Sequence, residues 1–296
     1  MHQLTDVKSL KRELCRLCGV PRFRQRLLKG SAVLEDADEL TSPIDVQMVV
    51  LPFIAANDEQ RQEMTDAVAD GRILDVEKLL KLPQDPNLGG PRGGRLPPLV
   101  SASMVGRADV VRLLLEASAD KDSTDGNGST ALRTASYLGR ADVVRELLEA
   151  GASKDLCNHS GSTPLEVASK FRHLETTRVL LEAGADKELA DQEGFTPLLS
   201  AAANVHVDMV RLLLDAGAHH GVSDNNGLTA LHHASNIYWL EKEEAAIDTA
   251  RLLLDTGADR AATDNDGRTA LEYAVEGGLT QLESMLRAKR RRLRAD

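Results

Sequence analysis

Along most of this chain, apolar residues recur among polar ones at a spacing that is typical of short, paired helices. In the unit that starts at Thr130, apolar residues fall three or four positions apart in two successive segments, which predicts two helices. The residues predicted to face inward are Ala131, Leu132, Ala135 and Leu138 in the first helix, and Val143, Leu147 and Leu148 in the second. Thr130 can cap the first helix, and Gly139 and Gly151 end the two helices. A polar loop follows, here called the finger, with a turn at 158–161.

This unit recurs at a fixed period. Thr-Ala-Leu or Thr-Pro-Leu begins at Thr130, Thr163, Thr196 and Thr229, spaced by 33 residues, and another copy begins at Thr269, 40 residues after the fourth. A degenerate copy at Pro97 precedes them in the same register. Helices this short bury their apolar faces only against neighbouring copies. The period therefore predicts a mainly α-helical solenoid of about six to seven helix-loop-helix units.

The recurring segments resemble the ankyrin repeat over residues 60–288. The opening T-x-L-x-x-A, the second helix V-V-x-L-L-L and the G-A-D finger all recur in register. The resemblance implies a concave face, formed by fingers and first helices, that binds proteins. The predicted order is a capping unit at 58–82, a Pro/Gly-rich linker finger at 83–98, repeats at 97–129, 130–162, 163–195, 196–228 and 229–268, a C-terminal cap at 269–288, and a basic tail at 289–296.

Three positions that carry glycine in the repeat are occupied by other residues. Arg172 and Val205 replace the glycine after the first helix, and Ser118 replaces the glycine after the second. A non-glycine residue in the left-handed conformation costs about 1 kcal/mol. We therefore expect the two middle repeats to be the least stable part of the array.

Residues 1–55 follow a different pattern. Residues 6–18 predict an amphipathic helix with Asp6 as its N-cap, and Gly19-Val20-Pro21 ends it. The segment RQRLL at 24–28, a turn at Gly30-Ser31, the segment VLED at 33–36 and an apolar strand at 46–53 follow.

This order resembles the second half of ubiquitin, and GVPRFRQRLL and VLED are the most specific pieces. The resemblance implies a small α+β ubiquitin-like half domain that lacks its first hairpin and is less stable than the repeats. Leu28 matches one position of the apolar recognition patch of ubiquitin. The resemblance also raises an alternative function, an adaptor in the ubiquitin pathway that docks through this region and selects clients with the repeats.

Composition narrows the function classes. The net charge is −10, and six of the 36 basic residues lie in the last ten positions, so the repeats are strongly acidic. An acidic surface argues against binding nucleic acid or an anionic membrane. Three cysteines indicate a reducing compartment, the charged first twenty residues predict no signal peptide, and no apolar run is long enough to span a membrane. We expect a cytoplasmic or nuclear protein.

No group of residues has the pattern of a catalytic or cofactor site. Cys15 and Cys18 form a C-x-x-C, but a structural zinc needs four ligands and no second Cys/His pair is suitably placed. The phosphate-binding loop, the serine-hydrolase motif and the zinc-protease motif are all absent. The sequence predicts a monomeric, non-catalytic protein without metal or cofactor that binds one or more proteins.

The residues predicted to contact a partner lie at finger tips and on the exposed sides of first helices. They are Met104, Val105, Tyr137, Leu138, Lys170, Phe171, Phe195, Asn204, His233, Asn236, Ile237, Tyr238, Trp239, Tyr273 and Glu276. All six aromatic residues of the repeats fall on fingers or first helices, and aromatic residues often anchor interfaces. The alternative is that they fill gaps between repeats.

Two further segments carry predictions of their own. Between Ala234 and Arg251 the chain has seven extra residues, which we expect to lengthen both helices and to project Trp239 as a contact. The alternative is that Trp239 folds back onto Ile237 or onto the next repeat. Lys289, Arg290, Arg291 and Arg292 resemble a nuclear-import signal, and the alternative is favourable charge at a helix C-terminus.

Overall fold

The computed structural model describes residues 6–40, 46–53, 56–82, 85–87, 96–236 and 243–287. Its helices are α1 Val7–Cys18, α2 Asp58–Ala69, α3 Ile73–Lys81, α4 Pro98–Val105, α5 Ala108–Glu116, α6 Ala131–Tyr137, α7 Ala141–Glu149, α8 Pro164–Lys170, α9 Leu174–Glu182, α10 Pro197–Ala203, α11 Val207–Asp215, α12 Ala230–Ser235, α13 Glu243–Asp255, α14 Ala270–Glu276 and α15 Thr280–Arg287. Its strands are β1 Gln25–Lys29, β2 Ala32–Val33 and β3 Gln47–Val50. The first unit is Met1–Leu132 with Arg145–Ala152, and the second is Arg133–Val144 with Ser153–Asp296.

The first unit begins with α1 and a three-stranded antiparallel sheet in the order β2-β1-β3. Asp6 caps α1 by accepting a hydrogen bond from the Ser9 amide at 2.7 Å, as predicted. Within 6–40 and 46–53, the buried apolar residues are Val7, Phe23 and Leu27. Helix α1 and strand β3 confirm the predicted helix and apolar strand, and the ubiquitin-like class of this sheet stays a prediction.

Arg22 joins the sheet to the repeats of the first unit. It lies in the 3₁₀ turn Arg22–Arg24 and is only 2 % exposed. Its guanidinium donates to Asp36 at 3.1 Å, to Glu77 of α3 at 3.5 Å and to Glu116 of α5. A buried guanidinium requires several acceptors, and here two of them belong to second helices of repeats.

The first repeat of this unit, α2 with α3, packs through α2 against α4 and through α3 against α5. Asn57 and Gln60 form a reciprocal capping box at the start of α2. Within α2 only Met64, Ala67 and Val68 are buried. An otherwise polar helix is what the end of a solenoid needs, because its outer face meets water.

In the second unit, first helices pack on first helices and second helices on second helices. The series α8, α10, α12, α14 and the series α9, α11, α13, α15 each pack in order. The proline of each Thr-Pro-Leu begins its helix, and the hydroxyls of Thr163 and Thr196 accept from amides three residues later. The leucines of these motifs are buried in the core, for example Leu165 and Leu198 at 1 % exposure each.

Several unfavourable features occur at the positions that depart from the repeat pattern. Arg172 and Val205 have φ of 61° and 50°, so they occupy the left-handed conformation that glycine adopts elsewhere, and Ser118 has φ of 66°. In α9, the buried hydroxyls of Thr176 and Thr177 have no hydrogen-bond partner among the described residues. The segment from 172 to 205 thus contains two residues in the left-handed conformation and two unpaired buried hydroxyls.

The seven extra residues lengthen one helix in the described part of the chain. Helix α13 has 13 residues where α9 and α11 have nine, while α12 has six. The expectation that both helices lengthen is therefore wrong for α12 as described. Ile237, Tyr238 and Trp239 lie outside the described residues, as do Lys289, Arg290, Arg291 and Arg292.

Candidate functional site

Amide side chains connect the finger tips of the second unit. The side-chain NH₂ of Gln192 donates to the carbonyl of His159 at 2.8 Å, that of Asn225 to Gln192 at 2.8 Å, and that of Asn265 to Asn225 at 3.0 Å. Each donor thus reaches the corresponding residue of the preceding finger. Backbone amides of the same three residues also donate to the preceding finger. The tips therefore form a continuous hydrogen-bonded ladder that fixes their spacing.

Glycine lets these fingers approach closely. A Cβ on Gly194 would lie 2.7 Å from the backbone nitrogen of Asn225, and one on Gly161 would lie 2.9 Å from that of Gln192. Both glycines also have φ of at least 80°. A side chain at either position would break the ladder.

One acidic or amide residue organises each finger turn. Oδ1 of Asp191 accepts from the amides of Glu193 and Phe195, at 3.0 and 2.9 Å. Asn158 holds the preceding turn in the same way, with Oδ1 accepting from the amides of Ser160 and Ser162. The turn therefore needs only one oxygen, which aspartate or asparagine can supply.

In the last two fingers the second carboxylate oxygen is also bound. Asp224 Oδ2 accepts from His233 Nε2 at 2.9 Å, and Asp264 Oδ2 accepts from the Tyr273 hydroxyl at 2.6 Å. The hydrogen bond to Asp264 raises the pKa of Tyr273 to about 12. Burial lowers the pKa of His233, although the Asp224 carboxylate opposes that shift.

Two exposed aromatic rings lie together on the first-helix side of this unit. Tyr137 and Phe171 are 44 % and 46 % exposed, and their ring centroids lie 4.8 Å apart in an edge-to-face arrangement. A pocket of about 300 Å³ opens beside them. Its lining includes Arg133, Tyr137, Glu166, Lys170, Phe171 and Asp191, and we call it the Tyr137 pocket.

The polar lining of the Tyr137 pocket includes a buried network. The Glu166 carboxylate is 1 % exposed and accepts from the hydroxyls of Ser162 and Ser200, the latter at 2.6 Å. Arg133 donates to the carbonyl and hydroxyl oxygens of Ser162, at 3.0 and 3.2 Å. These contacts hold the pocket in a defined shape.

The structure places the remaining predicted residues of the second unit in different environments. Lys170 and Glu276 are exposed, while Leu138, Phe195, Asn204, Asn236 and Tyr273 are partly buried. His233 is buried at 9 % exposure and packs against the Phe195 ring. It therefore supports a finger, and the prediction that it is exposed is wrong. Met104 and Val105 are exposed on α4 in the first unit.

Sequence reasoning does not identify Arg133, Glu166 or Asp191 as pocket residues. Asp191 is a common turn former in a finger, and Arg133 and Glu166 are polar residues within first helices, so residue type alone does not mark any of them. One sequence feature does distinguish Asp191. Nine positions after it stands the small residue Ser200, whereas the next two repeats have His233 and Tyr273 at the matching positions.

Models of protein families match this chain over most of its length. A model described as ankyrin repeats in three copies matches residues 64–156, 99–191, 135–224 and 184–240, and a single ankyrin-repeat model matches 226–265. The chain belongs to the ankyrin-repeat family. The matches confirm the ankyrin resemblance that the sequence motifs of the repeats indicate. The matches begin at residue 64, so the ubiquitin resemblance of residues 1–55 stays a prediction.

A solved structure gives the same result for the fold. The ankyrin repeat domain of Bcl-3, titled a unique member of the IkappaB protein family, is 29 % identical with a TM-score of 0.67. The match covers 76 % of this chain and 98 % of that chain. No curated protein matches this ankyrin chain. Among the described residues, no helix is long and apolar enough to cross a membrane, and no cluster of His, Cys, Asp or Glu is arranged to hold a metal ion.

Proposed function

We propose that this protein is a non-catalytic scaffold that binds a partner protein through the fingers and first helices of its second unit, with the Tyr137 pocket as the anchor. The observation that carries the proposal is the exposed Tyr137–Phe171 pair. Two large rings beside a pocket, on a surface fixed by the finger ladder, have the features of an interface hot spot. Ankyrin repeats, including an IkappaB-family domain among the similar structures, support a protein-binding role.

The test compares partner capture by the full chain and by the double variant Tyr137→Ala, Phe171→Ala. We expect the dissociation constant to rise at least about tenfold, because truncating hot-spot aromatics typically costs 2 kcal/mol or more, while the far-ultraviolet circular dichroism stays the same. Leu74→Ala is the matched control, since Leu74 is 77 % exposed on a second helix. Equal affinity in the double variant and the wild type would contradict the proposal.

The other predicted contacts and the location belong to the same proposal. The protein acts as a monomer in the cytoplasm or nucleus, and Trp239 with Tyr238 adds a second contact to the partner. The basic segment Lys289, Arg290, Arg291 and Arg292 directs nuclear import. Replacing these four residues with alanine should move a fluorescent fusion of the chain from nucleus to cytoplasm, and an unchanged distribution would rule out the import role.

A ubiquitin-pathway adaptor is the second candidate. It is favoured by the order of elements at residues 7–50, where a helix is followed by a 3₁₀ turn, a hairpin and a third strand, as the resemblance implies. Deleting residues 1–55 would also remove Arg22 from Glu77 and Glu116, so a point variant is the cleaner test. Leu28→Ala should abolish binding to ubiquitin-handling proteins. The double variant Tyr137→Ala, Phe171→Ala is the control and should keep this binding. Retained binding in Leu28→Ala would remove this candidate.

A further inference from the structure

Asp191 differs from Asp224 and Asp264, the aspartates that hold the turns of the two following fingers. Asp224 and Asp264 each use Oδ2 to accept from the side chain nine residues later. At Asp191 that side chain is Ser200, whose hydroxyl donates to Glu166 instead. Among the described residues nothing donates to Asp191 Oδ2, and Asp191 is partly buried in the lining of the Tyr137 pocket. A carboxylate oxygen that has lost part of its hydration favours an incoming hydrogen-bond donor.

The aromatic walls of the pocket favour a donor that is positively charged. Ring faces attract guanidinium and ammonium groups electrostatically. The last repeat of the chain already contains this combination, because the Arg268 guanidinium lies 4.2 Å from the centroid of the Tyr273 ring, whose hydroxyl donates to Asp264. The Tyr137 pocket offers rings and a finger aspartate, while its own arginine, Arg133, is held by Ser162.

The charge of the surrounding fingers has the same sign as Asp191. The fingers at 153–162, 186–195, 219–228 and 259–268 carry nine carboxylates and four lysine or arginine side chains. Such a surface attracts basic segments and repels acidic ones. Lys170 is the exposed cation at the edge of the pocket and opposes this attraction locally.

We infer that the Tyr137 pocket takes an arginine or lysine side chain from a basic segment of the partner protein, which donates to Asp191 Oδ2 and lies against the Tyr137 and Phe171 rings. The inference rests on the proposed function and names the chemistry of its partner. Asp191 is then the residue that determines specificity, and Lys170 reduces the affinity.

The finger turns of other repeats suggest which substitutions can test this inference. Asp191→Asn keeps the oxygen that holds the finger turn, as Asn158 does in the preceding finger, while it removes the charge and replaces the acceptor Oδ2 with an NH₂ group that cannot accept. Asp125→Asn is the matched control, because Asp125 holds its own finger turn through Oδ1 and does not line the pocket. Lys170→Glu changes the sign of the exposed cation.

The probe is a display library of random peptides selected on the full-length protein, followed by affinity measurements on single synthetic peptides. We expect selected peptides to be enriched in arginine or lysine and to bind Asp191→Asn about tenfold more weakly, as loss of a charged hydrogen bond predicts. Asp125→Asn should bind them like the wild type, and Lys170→Glu should bind them more tightly. Circular dichroism and thermal unfolding confirm that each variant is folded.

The outcomes separate this inference from the proposed function. Peptides that lose affinity for Tyr137→Ala, Phe171→Ala but bind Asp191→Asn as well as wild type overturn the inference and leave the proposed function standing. Selected peptides without enrichment in basic residues, or tighter binding of acidic peptides, also overturn it. Peptides whose affinity depends on neither Tyr137 nor Phe171 contradict the proposed function and the inference with it.

Discussion

Arg22, in the turn before the first strand, donates its Nε–H to Glu116 at the end of α5, 94 residues later in the chain. The guanidinium also binds Asp36 and Glu77. This one side chain therefore links the N-terminal sheet with two repeats of the first unit.

Arg22→Ala should release the sheet from these repeats. Removing the guanidinium deprives the carboxylates of Asp36, Glu77 and Glu116 of a shared cation. We expect this to lower the free energy of unfolding by about 3 kcal/mol. Hydrogen exchange read by mass spectrometry should show faster exchange in β1 and α5. Arg112→Ala is the control: its exposed pair with Glu146 in the same unit should be worth less than about 1 kcal/mol. Equal exchange in both variants would show that Arg22 does not hold the sheet.

Ser118→Gly should stabilise the first unit. Glycine relieves the strain at φ of 66° but gains entropy when unfolded, so the net increase in the free energy of unfolding should be about 0.5–1 kcal/mol. Gly184→Ser is the reverse experiment, because Gly184 has φ of 74° and nothing within 4 Å of an added Cβ. We expect it to destabilise by a similar amount in chemical denaturation. Two variants with the same sign would disprove the strain argument.

Thr176→Val with Thr177→Val should stabilise the second unit. Both hydroxyls are buried without a hydrogen-bond partner among the described residues, and valine has nearly the same shape. We expect about 1 kcal/mol for each removed hydroxyl, measured by thermal and chemical unfolding. Thr163→Val should have the opposite effect, about 1 kcal/mol of destabilisation, because its hydroxyl caps α8. Loss of stability in the double variant would mean that these hydroxyls have partners.

His233 should make the second unit less stable in mild acid. Its pKa in the folded protein lies below the usual 6.5, so below pH 6.5 the unfolded chain binds a proton that the folded chain does not. Its contribution is therefore complete above pH 6.5 and falls as the pH drops towards the folded pKa. The difference in unfolding free energy between wild type and His233→Gln should shrink from pH 7.5 to 5.5. A constant or growing difference would mean that the pKa of His233 is not lowered.

The helix pairs could be predicted because the same apolar spacing occurs in several copies, and each copy supports the interpretation of the others. The left-handed conformation of Arg172 and Val205 was predictable for the same reason, since glycine stands at the matching position of other repeats. The pocket was not predictable. The specificity inferred for it depends on Ser200, whose hydroxyl donates to Glu166, whereas His233 and Tyr273 at the matching positions donate to their finger aspartates. Sequence spacing alone does not show which acceptor a side chain binds.

The finger ladder also bears on how such a chain can change in length during evolution. In each connection an amide side chain donates to the backbone carbonyl at the same position of the preceding finger. A backbone carbonyl is present whatever the residue, so the acceptor is the same in every copy. A gene duplication that inserts one 33-residue copy carrying Gln192 or Asn225 would therefore join the ladder at both ends without any compensating mutation.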